Sequence, residues 1–310
     1  MKRTYKLILA TLPALLFMLI LLHSPKASAA NYNYTDFPLD DSAMRASGTM
    51  TAQQIQDFLA QQNSGLAVFT DIEDCGSTGG SHYSYYTTYY HCGSRMSAAQ
   101  IIFDAAQAYG INPQVLLATM QKEQSLITTP NPVASQLNYA MGYGCPDSGG
   151  CSYAGFFNQV DNGAWQLRTD MELGSGNNWW GYSPASYPCN GPTRYYSAAL
   201  KAGNNVTFYD EAGTGYTSFV MPNMATATLY CYTPHVYPGS AQQYYSGSYW
   251  FVYYFNRWFV SYSMQLVNQN SFTDATMTTQ KGTNGILPGD RVYLTFTAKN
   301  TGNQTWSNTG

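Results

Sequence analysis

Apolar and polar residues recur along most of the chain with the 3.6-residue period of amphipathic helices. In residues 47–65, Ile55, Phe58 and Leu59 share one helical face, and Thr51 precedes them as an N-cap. The chain is therefore predicted to be mainly α. The same pattern predicts further helices within residues 96–110, 112–127, 158–172, 221–236 and 248–262.

Two central helices carry clear capping signals. Ser97 can cap the first of them and Gly110 can stop it, because glycine adopts the left-handed conformation without strain. The next helix opens at Asn112, a capping residue followed by proline at the first helical position. The stretch "TTPNPV", residues 128–133, is expected to end it.

The pattern changes near residue 271, where alternation replaces the helical period. Val292, Leu294 and Phe296 fall on one face of a predicted strand. We predict a domain boundary near residue 270, followed by the start of a truncated β module, because about 40 residues are short for an all-β sandwich. The predicted parts are a signal peptide at 1–30, a helix with a Tyr-rich loop at 31–95, an α-rich domain at 96–265 and the β segment at 270–310.

Residues 1–30 have the layout of a secretory signal peptide. Three cationic residues precede an apolar run at 8–22, and small residues follow at 27–30. The apolar run is about 15 residues long, which is shorter than the roughly 20 that a spanning helix needs. Cleavage after residue 29 or 30 is expected, with an uncleaved membrane anchor as the alternative. The protein is thus predicted to be secreted or held at the cell surface.

The six cysteines indicate disulfides, because an even number in an exported chain is typical of a disulfide framework. Six cysteines allow 15 pairings, and pairing of nearest neighbours is the simplest expectation. No CxxC pair is present and the histidines are scattered, so neither a metal site nor a cofactor is predicted. The expected disulfides are Cys75–Cys92, Cys145–Cys151 and Cys189–Cys231.

Charge and composition narrow the class of ligand. Only 10% of the residues are charged and the formal net charge is −3, which argues against nucleic acid, whose capture depends on clustered Lys and Arg. Aromatic residues make up 15% of the chain, and Tyr alone counts 28. A tyrosine ring has an apolar face and a hydrogen-bonding tip, as a sugar ring does. The composition suits carbohydrate, and equally a secreted surface with few charges.

Glu123 is an acid on an apolar helical face. Each helical residue turns about 100°, so Glu123 falls about 80° from Val115, in the sector that also holds Leu116 and Met120. A charge there is unfavourable unless it is paired or lies in a cleft. Two interpretations follow: a buried glutamate satisfied by the backbone or a lysine, or a general acid for glycosidic bond cleavage.

The stretch "LLATMQKEQSL", residues 116–126, resembles the acid-bearing helix of soluble lytic transglycosylases and goose-type lysozymes. In that family the helix ends in Glu, usually followed directly by Ser. Here Gln124 stands between Glu123 and Ser125, which departs from the pattern. The resemblance covers residues 95–260 and implies a lysozyme-like α-rich domain with a small hairpin or loop region.

The resemblance also implies a substrate cleft downstream of the acid. "GFFNQVD", residues 155–161, is similar to the Gly-Leu-Met-Gln stretch that lines the sugar cleft in the family, with Gln159 as the cleft glutamine. "AMGYG", residues 140–144, is a rival for that role and adds Tyr143. Asn158 is a candidate to position the acetamido group of the substrate, or else a cap of the following helix.

A third family feature is a helix that carries Ala-Tyr-Asn. "LYCYTPHVY", residues 229–237, stands in its place, with Tyr230 or Tyr232 as the cleft tyrosine and the Asn replaced. Ser125, after the acid, completes the implied substrate-binding set.

The family mechanism begins with protonation by Glu123 of the glycosidic oxygen between N-acetylmuramic acid and N-acetylglucosamine. In transglycosylases the muramoyl 6-hydroxyl then attacks C1 and gives a 1,6-anhydro product without a second carboxylate. In goose-type lysozymes water attacks with help from aspartates, for which Asp147 and Asp161 are candidates. An inverting hydrolase needs its carboxyls about 6.5–9.5 Å apart. The alternative for Asp147 is a turn residue, and the alternative for Asp161 is a capping or surface residue.

The expected function is therefore that of an exported enzyme, hydrolase or transglycosylase, that cleaves the glycan strands of peptidoglycan. The rival hypothesis is a non-catalytic wall-binding or adhesion protein on the same scaffold, which Gln124 and the altered Ala-Tyr-Asn region favour. The tail, residues 288–310, resembles the opening strands of immunoglobulin-like modules, which act as spacers or adhesion units. The expected partner is peptidoglycan, and the sequence leaves the oligomeric state open.

Overall fold

The computed structural model describes residues 39–76, 88–145, 150, 152–209, 216–234 and 247–259, together with the backbone of two strands farther along the chain. All of these residues belong to one compact unit, residues 34–310. The protein is mainly α with a few short strands, as the sequence predicts. The described helices are α1 Asp41–Met44, α2 Ala52–Gln61, α3 Ala98–Tyr109, α4 Pro113–Gln124, α5 Ala134–Asn138, α6 Phe156–Gly174, α7 Met224–Tyr232 and α8 Gly247–Trp258.

The strands form two-stranded antiparallel sheets. Strand β1 pairs with β2 in the register Thr70↔Ser97, and β3 pairs with β4 in the register Asn205↔Val220. Strand β5 pairs with β6 in the register Ala275↔Ala298. The strand bounds are β1 Thr70–Ile72, β2 Arg95–Ser97, β3 Asn205–Tyr209, β4 Tyr216–Val220, β5 Ala275–Thr279 and β6 Leu294–Ala298.

The predicted helix caps are confirmed. Thr51 accepts a hydrogen bond from the backbone N–H of Gln54, and Ser97 accepts one from that of Gln100. Gly110 ends α3 in the left-handed conformation, with φ of 62°. These residues satisfy backbone groups that a helix end would otherwise leave unpaired.

Helix α4 begins and ends sharply. Asn112 caps it by accepting a hydrogen bond from the N–H of Gln114, as predicted. The helix ends at Gln124, because Ser125 adopts the left-handed conformation with φ of 56°. The prediction that residues 128–133 end it was wrong, since this turn ends it several residues earlier. The carboxylate of Glu123 therefore lies in the last helical turn.

Helix α6 forms the centre of the core. Helices α3 and α7 both pack against it, and α2 packs on α3. Helix α4 packs against α8 and α3, so it is covered on several sides. Phe58 of α2 contacts Trp258 of α8 edge to face, with 5.5 Å between ring centroids. The described parts of the predicted segments 31–95 and 96–265 thus share one core.

Other predictions have mixed outcomes. The segment 186–203, expected to include a short helix, is loop after a 3₁₀ turn at Pro184–Ser186. The β3–β4 hairpin was not predicted. A strand at 294–298 is confirmed.

Three predictions lie outside the described residues. They concern the signal segment, the Tyr-rich residues 77–87 and the boundary near residue 270.

Two of the three predicted disulfides are confirmed, Cys75–Cys92 and Cys189–Cys231. Cys145 is also disulfide-bonded, but Cys151 lies outside the described residues. Such bonds are typical of exported proteins. Within the described part of the chain, no helix combines the length and apolar character needed to cross a membrane.

Candidate functional site

The carboxylate of Glu123 lies in a polar group at the end of α4. Its Oε1 is 2.6 Å from the Nζ atom of Lys122, and the hydroxyl of Thr233 lies 3.5 Å from the same oxygen. The Lys122 ammonium also donates to the Thr233 hydroxyl and lies over the ring of Tyr232, 5.4 Å from its centroid. The side chain of Glu123 is 24% exposed, whereas that of Lys122 is only 5% exposed. The acid therefore faces solvent while its cationic partner is buried.

The other oxygen of Glu123 lies against the backbone of Gly142. A Cβ atom at that glycine would lie 3.0 Å from Glu123 Oε2. Gly142 has φ of +68°, which glycine adopts without strain. The backbone of residue 142 can thus approach the carboxylate closely because no side chain intervenes.

Gly142 also lines a cavity of about 240 Å³ beside this carboxylate. Residues 142–144 form one wall, and Gln166 and Asp170 of α6 line it as well. Residues 188–189 and 231–232 complete the described lining, and the Cys189–Cys231 disulfide joins these two segments. Tyrosine rings and hydrogen-bonding groups therefore meet in one concave space, as is typical of small-molecule sites.

Two tyrosines predicted to contact substrate line this cavity. Burial raises the pKa of Tyr143 to about 12, and the ring of Tyr153 packs on it with 5.1 Å between centroids. The hydroxyl of Tyr232 donates to the carbonyl oxygen of Met141 at 2.7 Å. Burial, and then the charge of Glu123, raise the pKa of Tyr232 well above its ordinary value. Both phenols therefore stay neutral hydrogen-bonding groups at physiological pH.

Asp170 is the carboxyl in the described lining of this cavity. It is only 1% exposed, and Gln166 donates a hydrogen bond of 2.7 Å to its Oδ1. Burial raises the pKa of Asp170 to about 7, and the hydrogen bond from Gln166 lowers the pKa by a smaller amount. A carboxyl with this pKa exchanges protons near neutral pH, which is what acid–base catalysis requires.

Gln159 organises the wall of the cavity. Its side-chain oxygen accepts hydrogen bonds from the N–H groups of Met141 and Tyr143, and its amide donates to the carbonyls of Tyr143 and Tyr153. The four hydrogen bonds use the whole capacity of a glutamine side chain. Fully buried, Gln159 thus positions the 141–143 loop and has no group left for a sugar.

Asp161 lies in the core and not at the cavity. It is 0% exposed, and the hydroxyls of Tyr90 and Tyr109 donate to its Oδ1 at 2.7 and 2.6 Å. Activation of a substrate water by this carboxylate would require solvent access that the packing denies. Asp147, the other aspartate predicted for that role, lies outside the described residues.

The remaining predicted contacts are dispersed. Tyr230 is buried against Phe208, with 4.7 Å between ring centroids, so Tyr232 is the tyrosine that lines the cavity. Asn158 lies at a separate groove beside Asp71, and its amide donates to the carbonyl of Ala154. Asn158 lies within α6, so it does not cap that helix.

Ser125 is exposed at the turn that ends α4. Its carbonyl accepts a hydrogen bond from the Thr129 hydroxyl, which holds the turn together. Next to it, the carbonyl of Gln124 accepts a hydrogen bond from the Gln136 amide. Gln124, the residue that departs from the family pattern, therefore links α4 to α5 through its backbone carbonyl.

Gln166, Asp170 and Pro188 line the cavity but were not predicted. The sequence offered one signal for Asp170, namely that acidic residues are rare in this chain, which has 17 of them. Gln166 lies one helical turn before it, at the spacing that brings side chains together. Pro188 lies in an irregular segment whose course the sequence pattern does not indicate.

Comparison with protein families gives one match over part of the chain. Residues 38–172 match the family described as LasA, N-terminal domain. The matched segment runs from just before α1 to near the end of α6, so it includes Glu123, Gly142 and Asp170 but not Tyr232. A search of curated proteins and a search of solved structures each found no match.

Proposed function

We propose that this chain is an exported enzyme that cleaves the glycan strands of peptidoglycan, with Glu123 as its general acid/base. The observation that carries the proposal is the placement of Glu123. Its carboxylate is partly exposed at the end of α4 and lies against Gly142, and Gly142 in turn lines a cavity that also contains Tyr143 and Tyr232. A carboxyl beside a concave site with aromatic and hydrogen-bonding walls suits glycosidic bond cleavage. The helical architecture is compatible with the lysozyme-like fold that the sequence resemblance implies.

In this proposal the glycosidic oxygen of the bound strand approaches Glu123 from the cavity. Lys122 pairs with the Glu123 carboxylate in the structure, and an ion-paired carboxylate carries no proton. The ion pair must therefore open, and Glu123 must take up a proton from solvent, before it can deliver one to the glycosidic oxygen. Thr233 can keep the ammonium in place, because Lys122 already donates to its hydroxyl. Once the proton has moved, the carboxylate can stabilise the positive charge that develops at C1.

Asp170 is a carboxyl in the described lining of the cavity, and burial raises its pKa to about 7. A carboxyl with a pKa of about 7 is partly ionised at neutral pH, so it can accept a proton as well as donate one. A hydrolytic route would use Asp170 to accept a proton from water, whereas an anhydro-forming route would need Glu123 alone. The products distinguish these routes.

Export is part of the proposal, since peptidoglycan lies outside the cytoplasm. The two described disulfides support it, and the signal peptide predicted at residues 1–30 would supply the route.

Digestion of purified cell walls tests the proposal. The purified chain should release soluble glycan fragments, and Glu123→Gln should lower the rate by about 100-fold or more, the usual contribution of acid–base catalysis. Asp57→Asn, at an exposed position of α2, is the matched control and should digest walls at the native rate. Equal rates for the native chain and Glu123→Gln would contradict the role of Glu123. Mass spectrometry of the products identifies the route, because an anhydro product lacks the water that hydrolysis adds.

One observation favours a second candidate, a glycan-binding protein without catalysis. The Glu123 carboxylate is engaged by a buried lysine at 2.6 Å, an arrangement that also serves to fix a binding loop. Sedimentation of the chain with insoluble walls, with no glycan fragments released by either the native chain or Glu123→Gln, would support this candidate over the enzyme.

A further inference from the structure

A second polar cluster lies at the base of the disulfide-bracketed loop. Its residues do not line the cavity that Gly142 and Asp170 share. It consists of Glu73, His91 and Asp104. The Nδ1 atom of His91 is 3.1 Å from Asp104 Oδ2 and 3.7 Å from Glu73 Oε2. One ligand atom from each residue lies within 4.8 Å of the other two. Three potential metal ligands from separate parts of the chain therefore converge on one point.

These distances suit a small cation. Metal–ligand bonds in zinc sites are about 2.0–2.2 Å for His nitrogen and carboxylate oxygen, so ligands in a tetrahedral shell lie about 3.4 Å apart. The two distances from His91 lie on either side of that value. An ion among the three groups would need only small shifts of the side chains.

Glu73 supplies a second observation at this cluster, on the oxygen other than the Oε2 that lies 3.7 Å from His91. Its side chain is 0% exposed, and its Oε1 has no hydrogen-bond partner among the described residues. Its other oxygen accepts a hydrogen bond from the backbone N–H of His91. A buried carboxylate oxygen without a donor is rare in folded proteins, and a cation is one way to satisfy it.

The surroundings hold the three ligands in place. The Cys75–Cys92 disulfide joins Cys92, which directly follows His91, to Cys75, which lies two residues after Glu73. The Gly93 N–H donates to the carbonyl of Glu73 at 2.8 Å. Gln100, one turn before Asp104 on α3, donates to its Oδ1 at 2.8 Å. A ligand fixed by such an outer hydrogen bond is typical of metal sites in proteins.

We propose that Glu73, His91 and Asp104 bind a divalent transition-metal ion of the Zn²⁺ type, which clamps the base of the disulfide-bracketed loop to α3. One imidazole and two carboxylates match Zn²⁺ better than Ca²⁺ or Mg²⁺, which prefer oxygen-only shells. The side chain of His91 is 51% exposed, so an ion and a completing water can reach the site from solvent. The competing arrangement is a proton shared between the two buried carboxyls.

Equilibrium dialysis of the purified, disulfide-intact chain against Zn²⁺, followed by elemental analysis, tests the proposal. We expect one Zn²⁺ per chain, and binding weakened at least about tenfold in Glu73→Gln, His91→Gln and Asp104→Asn, because each variant loses a ligand. Asp57→Asn should bind Zn²⁺ as the native chain does. Saturation with Zn²⁺ at about 100 times Kd should raise Tm by about 5 °C in the native chain and not in His91→Gln.

Glu73→Gln separates the metal from the shared proton, because its amide can still donate to Asp104 but is a poor metal ligand. His91→Gln changes a half-exposed side chain, so its binding remains measurable even if a buried variant fails to fold. Absence of Zn²⁺ binding by the native chain would overturn the proposal. So would Zn²⁺ binding that is unchanged in His91→Gln, or binding of Ca²⁺ or Mg²⁺ tighter than that of Zn²⁺.

Discussion

The Lys122 ammonium and the Glu123 carboxylate form an ion pair of 2.6 Å between adjacent residues of one helix. The pair is unequal, because the lysine is buried and the glutamate is partly exposed. Water can solvate a lone carboxylate at residue 123 but not a lone ammonium at residue 122. Removal of Glu123 and removal of Lys122 should therefore differ in their effect on stability.

Loss of Glu123 should destabilise the fold more than loss of Lys122. We expect Glu123→Leu to lower the free energy of unfolding by more than Lys122→Met does, because it leaves a buried cation without its counter-charge. The double variant should recover about 1 kcal/mol relative to the sum of the single variants. Urea denaturation of the four proteins measures this coupling. Equal losses for both single variants with no coupling would show that the ion pair contributes nothing.

Gly142→Ala should disturb Glu123 directly. The substitution places a methyl group 3.0 Å from Glu123 Oε2 and strains a backbone with φ of +68°, at a cost of about 1 kcal/mol for the strain alone. Gly203→Ala is the matched control, since Gly203 has φ of +83° and nothing lies within 4 Å of an added Cβ. Both variants should lose stability in thermal melts, Gly142→Ala at least as much as Gly203→Ala, but only Gly142→Ala should slow wall digestion. Equal slowing in both would argue against close packing on the carboxylate.

Substitution of Gln159 should loosen the cavity wall. Gln159→Leu removes four hydrogen bonds from a fully buried side chain and leaves backbone groups unpaired, which should lower the free energy of unfolding by about 3 kcal/mol. Gln53→Leu, at an exposed position of α2, should change it by less than about 0.5 kcal/mol. Chemical denaturation measures both. A loss for Gln159→Leu no greater than that for Gln53→Leu would show that the wall does not depend on this network.

Asp170 should make stability depend on pH. Burial raises its pKa from 3.8 to about 7 in the folded state, so the unfolded chain releases this proton first as pH rises. The free energy of unfolding should therefore fall between about pH 4 and pH 7, by at most about 4 kcal/mol from this group. Asp170→Asn removes the effect, so its stability relative to the native chain should be greater at pH 8 than at pH 4. Denaturation curves at both pH values check this. For the control Asp57→Asn, the stability relative to the native chain should be the same at pH 8 as at pH 4.

Local features of the fold were predictable because they depend on neighbouring residues. Thr51, Ser97, Asn112 and Gly110 bond to or shape backbone within a few positions of themselves, so their capping roles can be seen in the sequence. Pairing of nearest cysteines was also sufficient for the two described disulfides. The pairing of β3 with β4 was missed although the strands are close in sequence, because residues 210–215 between them contain no Asn-Gly or Asp-Gly pair.

The helical wheel of α4 shows where sequence reasoning stops. It placed Glu123 on the apolar face, yet the side chain of its neighbour Lys122 is the more buried of the two. The reason is that α4 is covered on several sides, with the aromatic helix α8 against it and Tyr232 over the lysine. A wheel compares faces of one helix and contains no information about what covers the polar face. The position of Asp170 in the cavity and of Asp161 in the core depends in the same way on distant segments.

The Cys189–Cys231 bond connects segments that are 42 residues apart in sequence, and Tyr232 directly follows one of its ends. The cavity wall is therefore complete only after a covalent step that needs an oxidant. A newly made chain in a reducing compartment has the sequence of the site but not this closure. The covalent link between the two lining segments therefore forms only where an oxidant is available.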